Sequence, residues 1–156
     1  MSASDIDESD RKILTILQNN AEASIDGIAA DIDLSPSAVH RRISRLKKSG
    51  VIRRISAVVD AKKVDRGMTV LLEIDCETER PEVLNRLKQW AIAQPAVQSC
   101  WYAAGEVDFL LVVVVRDLDD YTQFTSRLMG ERLGVRTFKS LVVLQTVKQS
   151  LNIDLL

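Results

Sequence analysis

Residues 34–52 read Leu34-Ser35-Pro36-Ser37-Ala38-Val39-His40-Arg41-Arg42-Ile43-Ser44-Arg45-Leu46-Lys47-Lys48-Ser49-Gly50-Val51-Ile52. Ser35 supplies the short hydroxyl of an N-cap. Pro36 follows at the first helical position, where its missing N–H leaves no bond unmade. Val39, Ile43 and Leu46 recur at intervals of four and three, so one face of this helix is apolar. Gly50 is placed to end it. The opposite face carries Ser37, His40, Arg41 and Ser44, with Arg42 and Arg45 at its flanks.

Upstream, two shorter apolar stripes precede this helix. Asp7 can cap a helix whose buried positions are Ile13, Leu14 and Leu17, and Ser24 a second burying Ile25, Ile28, Ala29 and Ile32. Downstream, Val51-Ile52 and Ile55 to Val59 read as short strands around Arg53 and Arg54. Three helices and a small β-ribbon make a winged helix-turn-helix over residues 1–59. The polar segment 60–67, ending in Gly67, reads as a linker.

Beyond it the period changes. From Thr69 to Glu77, Val70, Leu72, Ile74 and Cys76 alternate with Glu73, Asp75 and Glu77, the pattern of a half-buried strand. Pro81 opens a helix with Val83, Leu84, Leu87, Trp90 and Ala91 inward, and Pro95 closes it. Val97 to Ala103 is a second strand, Gly105 a turn, and Asp108 to Val115 a continuous apolar strand suited to a sheet centre covered on both faces. Asp117 can cap a helix burying Leu118, Tyr121, Phe124 and Leu128, and a last strand runs from Val135 to Val147. The order βαββαβ gives an α+β chain whose second domain, residues 68–156, is ferredoxin-like.

Charge is distributed unevenly. The formal net charge is −1, yet Leu34 to Val59 holds seven basic residues and no acidic one. That block coincides with the third helix and the ribbon, the elements that meet DNA in this architecture. Cations there neutralise phosphates and release counterions. Ser37, His40 and Arg41 are the candidates for reading bases, since arginine can bond guanine through two N–H groups. Ser35, Arg45, Lys48 and Arg54, with Arg42 beside them, are the candidates for phosphate contact. The partner expected is therefore double-stranded DNA.

Other classes are excluded or weakened. The apolar run from Phe109 to Val115 is too short to span a bilayer, and the Met1 to Asp5 start has no signal-peptide pattern. Cys76 and Cys100 lie far apart with no histidine near either, which gives no zinc pattern and fits a reducing cytoplasm. No phosphate loop, nucleophile elbow or metal cluster is evident, so neither an enzyme nor a cofactor is expected.

These residues carry a family resemblance. Leu34-Ser35-Pro36-Ser37-Ala38-Val39 with Arg42-Ile43, Arg45-Leu46 and Gly50-Val51-Ile52 resembles the helix-turn-helix of the Lrp/AsnC regulators. Gly105-Glu106-Val107-Asp108-Phe109 resembles that family's glycine-x-x-aspartate-aromatic turn, and Val142-Val143-Leu144 to Val147-Lys148 its last strand. The resemblance implies a transcription regulator whose C-terminal domain senses an amino acid or related metabolite. It also implies a homodimer pairing its sheets, or a tetramer or octamer of such dimers. The implied effector residues are Tyr102, Gly105, Glu106, Asp108 and Ser140. A purely structural account of Gly105 and Asp108, as turn and cap, stays open. Asp33 stands where the family commonly has glycine, and Ala104 where it often has serine or threonine. Two alternatives remain: an architectural DNA-binding protein without effector, and an enzyme like the haem-precursor decarboxylases that resemble this family in fold. The second requires histidine chemistry in the C-terminal domain, and His40 is the chain's one histidine.

Overall fold

The computed structural model describes residues 6–155, so the Met1 to Asp5 start lies outside the described residues. Backbone contacts divide the chain into two compact units. The first takes the residues up to Val58 together with those from Lys148 onward, and the second spans Val59–Val147.

The first unit begins with α1 (Glu8–Asn19), α2 (Ile25–Asp31) and α3 (Pro36–Lys48). Each starts where a short polar side chain satisfies an orphan amide. Asp7 accepts from the Asp10 N–H at 2.8 Å while the Asp10 carboxylate accepts from the Asp7 N–H at 3.2 Å, a complete capping box. Ser24 accepts from Gly27 and Ser35 from Ala38. Asp33, between α2 and α3, holds the left-handed geometry expected of a glycine there, with φ of 54°. Ile13, Leu14, Ile28, Ala29, Val39 and Leu46 form the core, with Ile43, Val51 and Ile52 packed on its edge.

Two details of this unit differ from the sequence reading. The predicted strands at Val51-Ile52 and Ile55 to Val59 do not form a ribbon. The Ile52 N–H instead bonds the Leu46 carbonyl at 3.0 Å, which draws Val51 and Ile52 back beneath α3. Residues 53–59 are exposed and form no strand. The tail from Lys148, read from sequence as part of the second domain, belongs to the first unit. Gln18 bonds both the N–H and the carbonyl of Ile153, at 2.7 and 3.1 Å, and Asn19 bonds Asn152 at 2.9 Å. Leu155 packs against the helical core.

The second unit opens with a 3-10 turn at Ala61–Val64, so the segment read as a linker has structure of its own. Its Arg66 pairs with Asp120 at 3.4 Å. The elements β1 (Met68–Cys76), α4 (Pro81–Ala93), β2 (Val97–Tyr102), β3 (Phe109–Val115), α5 (Leu118–Gly130) and β4 (Val135–Val142) follow. The strands pair antiparallel in the order β2-β3-β1-β4. This is the predicted ferredoxin-like arrangement. Alternation places Val70, Leu72, Ile74 and Cys76 of β1, and Phe109, Leu111, Val113 and Val115 of β3, under Leu84, Leu87, Trp90, Tyr121, Phe124 and Leu128 of the two helices. Leu118, expected inward, is exposed at the first position of α5.

Strand β4 stops five residues before the predicted end. Val142 pairs with Val70 and the Val143 N–H reaches Thr69, so β1 offers almost no further partner. At its start, Gly134 takes φ of 74° against α4. A Cβ there would lie 2.2 Å from Val83 Cγ1, so only glycine fits.

Burial, then the nearby Asp108 carboxylate, pushes the Cys76 thiol up to about 11. The folded state therefore keeps this proton at pH values where the unfolded chain has lost it. Stability is unaffected below the ordinary thiol range and declines as pH climbs from about 9 towards 11. Urea midpoints of the parent should fall across that window more steeply than those of Cys76→Ala, and parallel pH profiles would contradict this.

Candidate nucleic-acid interface and effector turn

On α3, Ser37, His40, Arg41, Ser44, Lys47 and Lys48 are exposed along the side opposite Val39 and Leu46. The hydroxyls of Ser35 and Ser37 lie 3.1 Å apart, and Ser35 also caps the helix. Ser35 is therefore tied to its own helix start. Arg54 lies in the segment after α3 and is exposed.

Arg42 and Arg45 both find acidic partners within the domain, although the Arg45 side chain stays 43% exposed. Arg42 Nη1 lies 2.6 Å from Asp7 Oδ2 and 2.9 Å from Asp10 Oδ1, and Arg45 Nη2 bonds Asp10 Oδ2. Asp10 is 0% exposed, which makes it a fully buried carboxylate held by two guanidinium groups and the Asp7 amide. Such a charge is stable only when so paired. The Asp10 amide and then Arg42 hold Asp7 below the usual carboxylate range, while Asp7 and then Asp10 raise Arg42 further. Arg42 stands three residues after Val39 and four before Leu46, on the apolar side of the helix. That spacing was the available signal that it turns inward. Asp7, Arg41, Arg42 and Arg45 together line an open cleft of about 310 Å³.

In the second unit, Tyr102, Gly105, Glu106 and Asp108 gather where β2 turns into β3. Gly105 has φ of 155°, which residues with a side chain rarely adopt. Glu106 is exposed at the turn. Asp108 serves the fold directly: Oδ2 accepts from the Cys76 N–H at 2.7 Å, its own N–H donates to the Ile74 carbonyl, and its carbonyl accepts from Ala103. It staples the turn to the end of β1. Tyr102 rests against Phe109, centroids 5.1 Å apart, and beneath Lys88 Nζ at 4.5 Å. Lys88, half-buried on α4, brings a cation to this cluster that the sequence reading did not include. Its helical spacing gave no hint, because strand and helix meet only in the fold.

Ser140 stands apart. It lies on β4, paired with Leu72 of β1, at the far edge of the sheet from Tyr102 on β2. Three strand spacings separate those edges, about 14 Å. Its hydroxyl lies 2.5 Å from the Tyr121 hydroxyl, within the same copy's fold. One chain thus brings together four of the five candidate effector residues.

The face of the sheet away from α4 and α5 carries Leu71, Trp101, Leu110 and Leu141, exposed by 37–54%. The ion pairs Asp75–Arg136 and Glu73–Lys139 border them. Among the described residues no helix is long and apolar enough to cross a membrane, and no cluster of metal-binding side chains occurs.

Comparison with known proteins agrees with this architecture in both halves. Residues 6–53 match the winged helix-turn-helix DNA-binding family, and residues 69–153 match the Lrp/AsnC ligand binding domain. An HTH-type transcriptional regulator of Sinorhizobium fredii is 32% identical over 94% of this chain and 86% of its own. A leucine-responsive regulatory protein of Haemophilus influenzae is 30% identical over 93% of this chain and 87% of its own. Among solved structures, an AsnC family transcriptional regulator from Agrobacterium tumefaciens superposes with a TM-score of 0.89 at 32% identity, covering 96% of this chain and 97% of that one. A transcriptional regulator from Neisseria meningitidis, solved as its L-Met complex, gives 0.88 at 26% identity, with 96% of each chain covered. With a helix-turn-helix whose third helix is basic and exposed, followed by the four-stranded ligand-binding module, the chain belongs to the Lrp/AsnC family of transcription regulators.

Proposed function

We propose that this regulator reads its operator with the exposed face of α3, that a homodimer forms through the helix-free face of its sheet, and that an amino acid binds at the β2–β3 turn. The exposed run His40, Arg41, Ser44 on a helix anchored by Val39 and Leu46 carries the first part. His40 and Arg41 read bases, with Ser37 beside them. Lys48 and Arg54 meet phosphates. Action in the cytoplasm, without enzymatic activity, follows from that role.

The effector reading rests on the turn's composition. Glu106 offers an exposed carboxylate to an α-ammonium group, and Gly105 lets backbone amides approach a carboxylate closely. The relative solved with L-Met supports an amino acid as the ligand class. Because Asp108 is already engaged by Cys76, Glu106 is the better probe of the site. Ser140 enters only through a second copy.

Arg41→Ala should weaken operator binding by roughly 1–3 kcal/mol and flatten discrimination against altered sites. Equal weakening on every sequence, read by titration at fixed salt, would make Arg41 a phosphate contact instead. In a thermal-shift screen of the twenty amino acids, at least one should raise Tm, since a ligand that binds only the folded form stabilises it. Glu106→Gln should keep the unliganded Tm and lose that rise, whereas Asp108→Ala should lower the unliganded Tm by removing the Cys76 acceptor. A full ligand response in Glu106→Gln would move the site elsewhere. Sedimentation should find at least a dimer for the parent and a monomer for Leu110→Glu, which puts a charge in the apolar sheet face. A monomeric parent at micromolar concentration refutes the sheet-paired dimer.

A further inference from the structure

The basic block from Leu34 to Val59 is weaker in available charge than its composition indicates, because two of its arginines are engaged by acidic residues of α1 and its cap. Arg42 contacts both Asp7 and Asp10, and Arg45 contacts Asp10. The two acidic groups differ in setting. Asp10 is wholly buried, whereas the Asp7 side chain remains 53% exposed at the rim of the cleft that Arg41 also lines. The clamp therefore adjoins the face proposed to meet DNA.

We propose that Asp7 and Asp10 are specificity-determining residues for DNA, because they pair with Arg42 and Arg45 and so hold back the charge of two cations from the phosphate backbone. This rests on α3 being the DNA-facing helix. Phosphate attraction is indifferent to sequence, and each neutralised phosphate adds about 0.9 to the slope of log affinity against log salt. A helix that offered all its arginines to phosphates would bind every duplex more tightly and distinguish among them less. With Arg42 and Arg45 paired to Asp7 and Asp10, discrimination falls to Ser37, His40 and Arg41. The same contacts fix the roll of α3 against α1, so base-reading side chains leave the domain at a set angle. Asp7 and Asp10 act through the arginines and touch no base themselves.

The test is the salt dependence of full-length protein binding to a duplex of arbitrary sequence, for the parent, Asp7→Asn and Asp10→Asn. Asparagine keeps the N-cap at position 7, so that variant preserves the helix start. Asp10→Asn frees Arg45 and leaves Arg42 one partner, so it should steepen the slope by about one phosphate and raise affinity for this duplex about tenfold near 0.1 M salt; Asp7→Asn, in which Asp10 still holds Arg42, should steepen it by a smaller amount. Their preference for operator over arbitrary duplex should fall correspondingly. Adding Arg42→Gln to Asp7→Asn should return the slope to the parent's, which a purely structural role for Asp7 would not do. Should Asp10→Asn fail to fold, Asp7→Asn alone decides. A folded Asp7→Asn with the parent's slope overturns the proposal, as does a lowered slope for Arg42→Gln in the parent background. A parent with no salt-dependent duplex affinity overturns the DNA-facing role of α3 as well, which separates the two failures.

Discussion

A carboxylate that water does not reach lies between the first and third helices, and the DNA-binding unit is arranged around keeping it paired. Asp10 takes two guanidinium groups and one backbone amide. An isolated charge in that position would be severely destabilising, so the helices must meet where both arginines can arrive. The capping box at the start of α1 is part of the same arrangement, since Asp10 closes it from within the helix. Local helix initiation and long-range helix packing are thus joined in one residue. The apolar core of Ile13, Ile28, Val39 and Leu46 supplies adhesion but is non-directional. Directed pairing is what selects one rotation of α3 among the several that bury the same side chains.

The second unit obeys a different constraint. Four strands have two faces, and α4 and α5 cover one. The continuous apolar character of Phe109 to Val115 follows from this: its inner residues are buried by the helices, while Leu110, Val112 and Val114 point to the side with no helix. Flanking Glu73–Lys139 and Asp75–Arg136 pairs keep that side from being uniformly greasy and would fix the register of anything laid upon it.

Much of this was legible in the chain. Helix spacing, short polar caps and strand alternation are local signals, and they placed the five α-helices and four sheet strands of the described residues to within a few residues, apart from the late limit set for β4. Asp33 was readable because aspartate tolerates the turn's left-handed backbone. What could not be read depends on partners distant in sequence. Arg42 looked like one more surface cation until Asp7 and Asp10, some thirty residues away, were brought to it. The β4 limit depends on where β1 begins, and the segment after α3 resembles a strand in composition but has no neighbour to pair with. Asp108 illustrates the same point from the effector side. Its motif position marked it, yet its bond to the Cys76 amide is a property of the assembled sheet.

The return of the tail to α1 makes the helical unit discontinuous in sequence, with the whole sheet unit inserted within it. During synthesis the sheet unit, complete at Val147, emerges before the helical unit has all its parts. Ile153 and Leu155 reach Gln18 and the helical core only after more than a hundred intervening residues have been made. The helices can gather earlier, since their core is local, but their last hydrogen bonds and packing wait until Ile153 and Leu155 have been made. Final consolidation of the DNA-binding unit is therefore coupled to completion of the sensor module, so a chain interrupted within the sheet would carry helices without their closing segment.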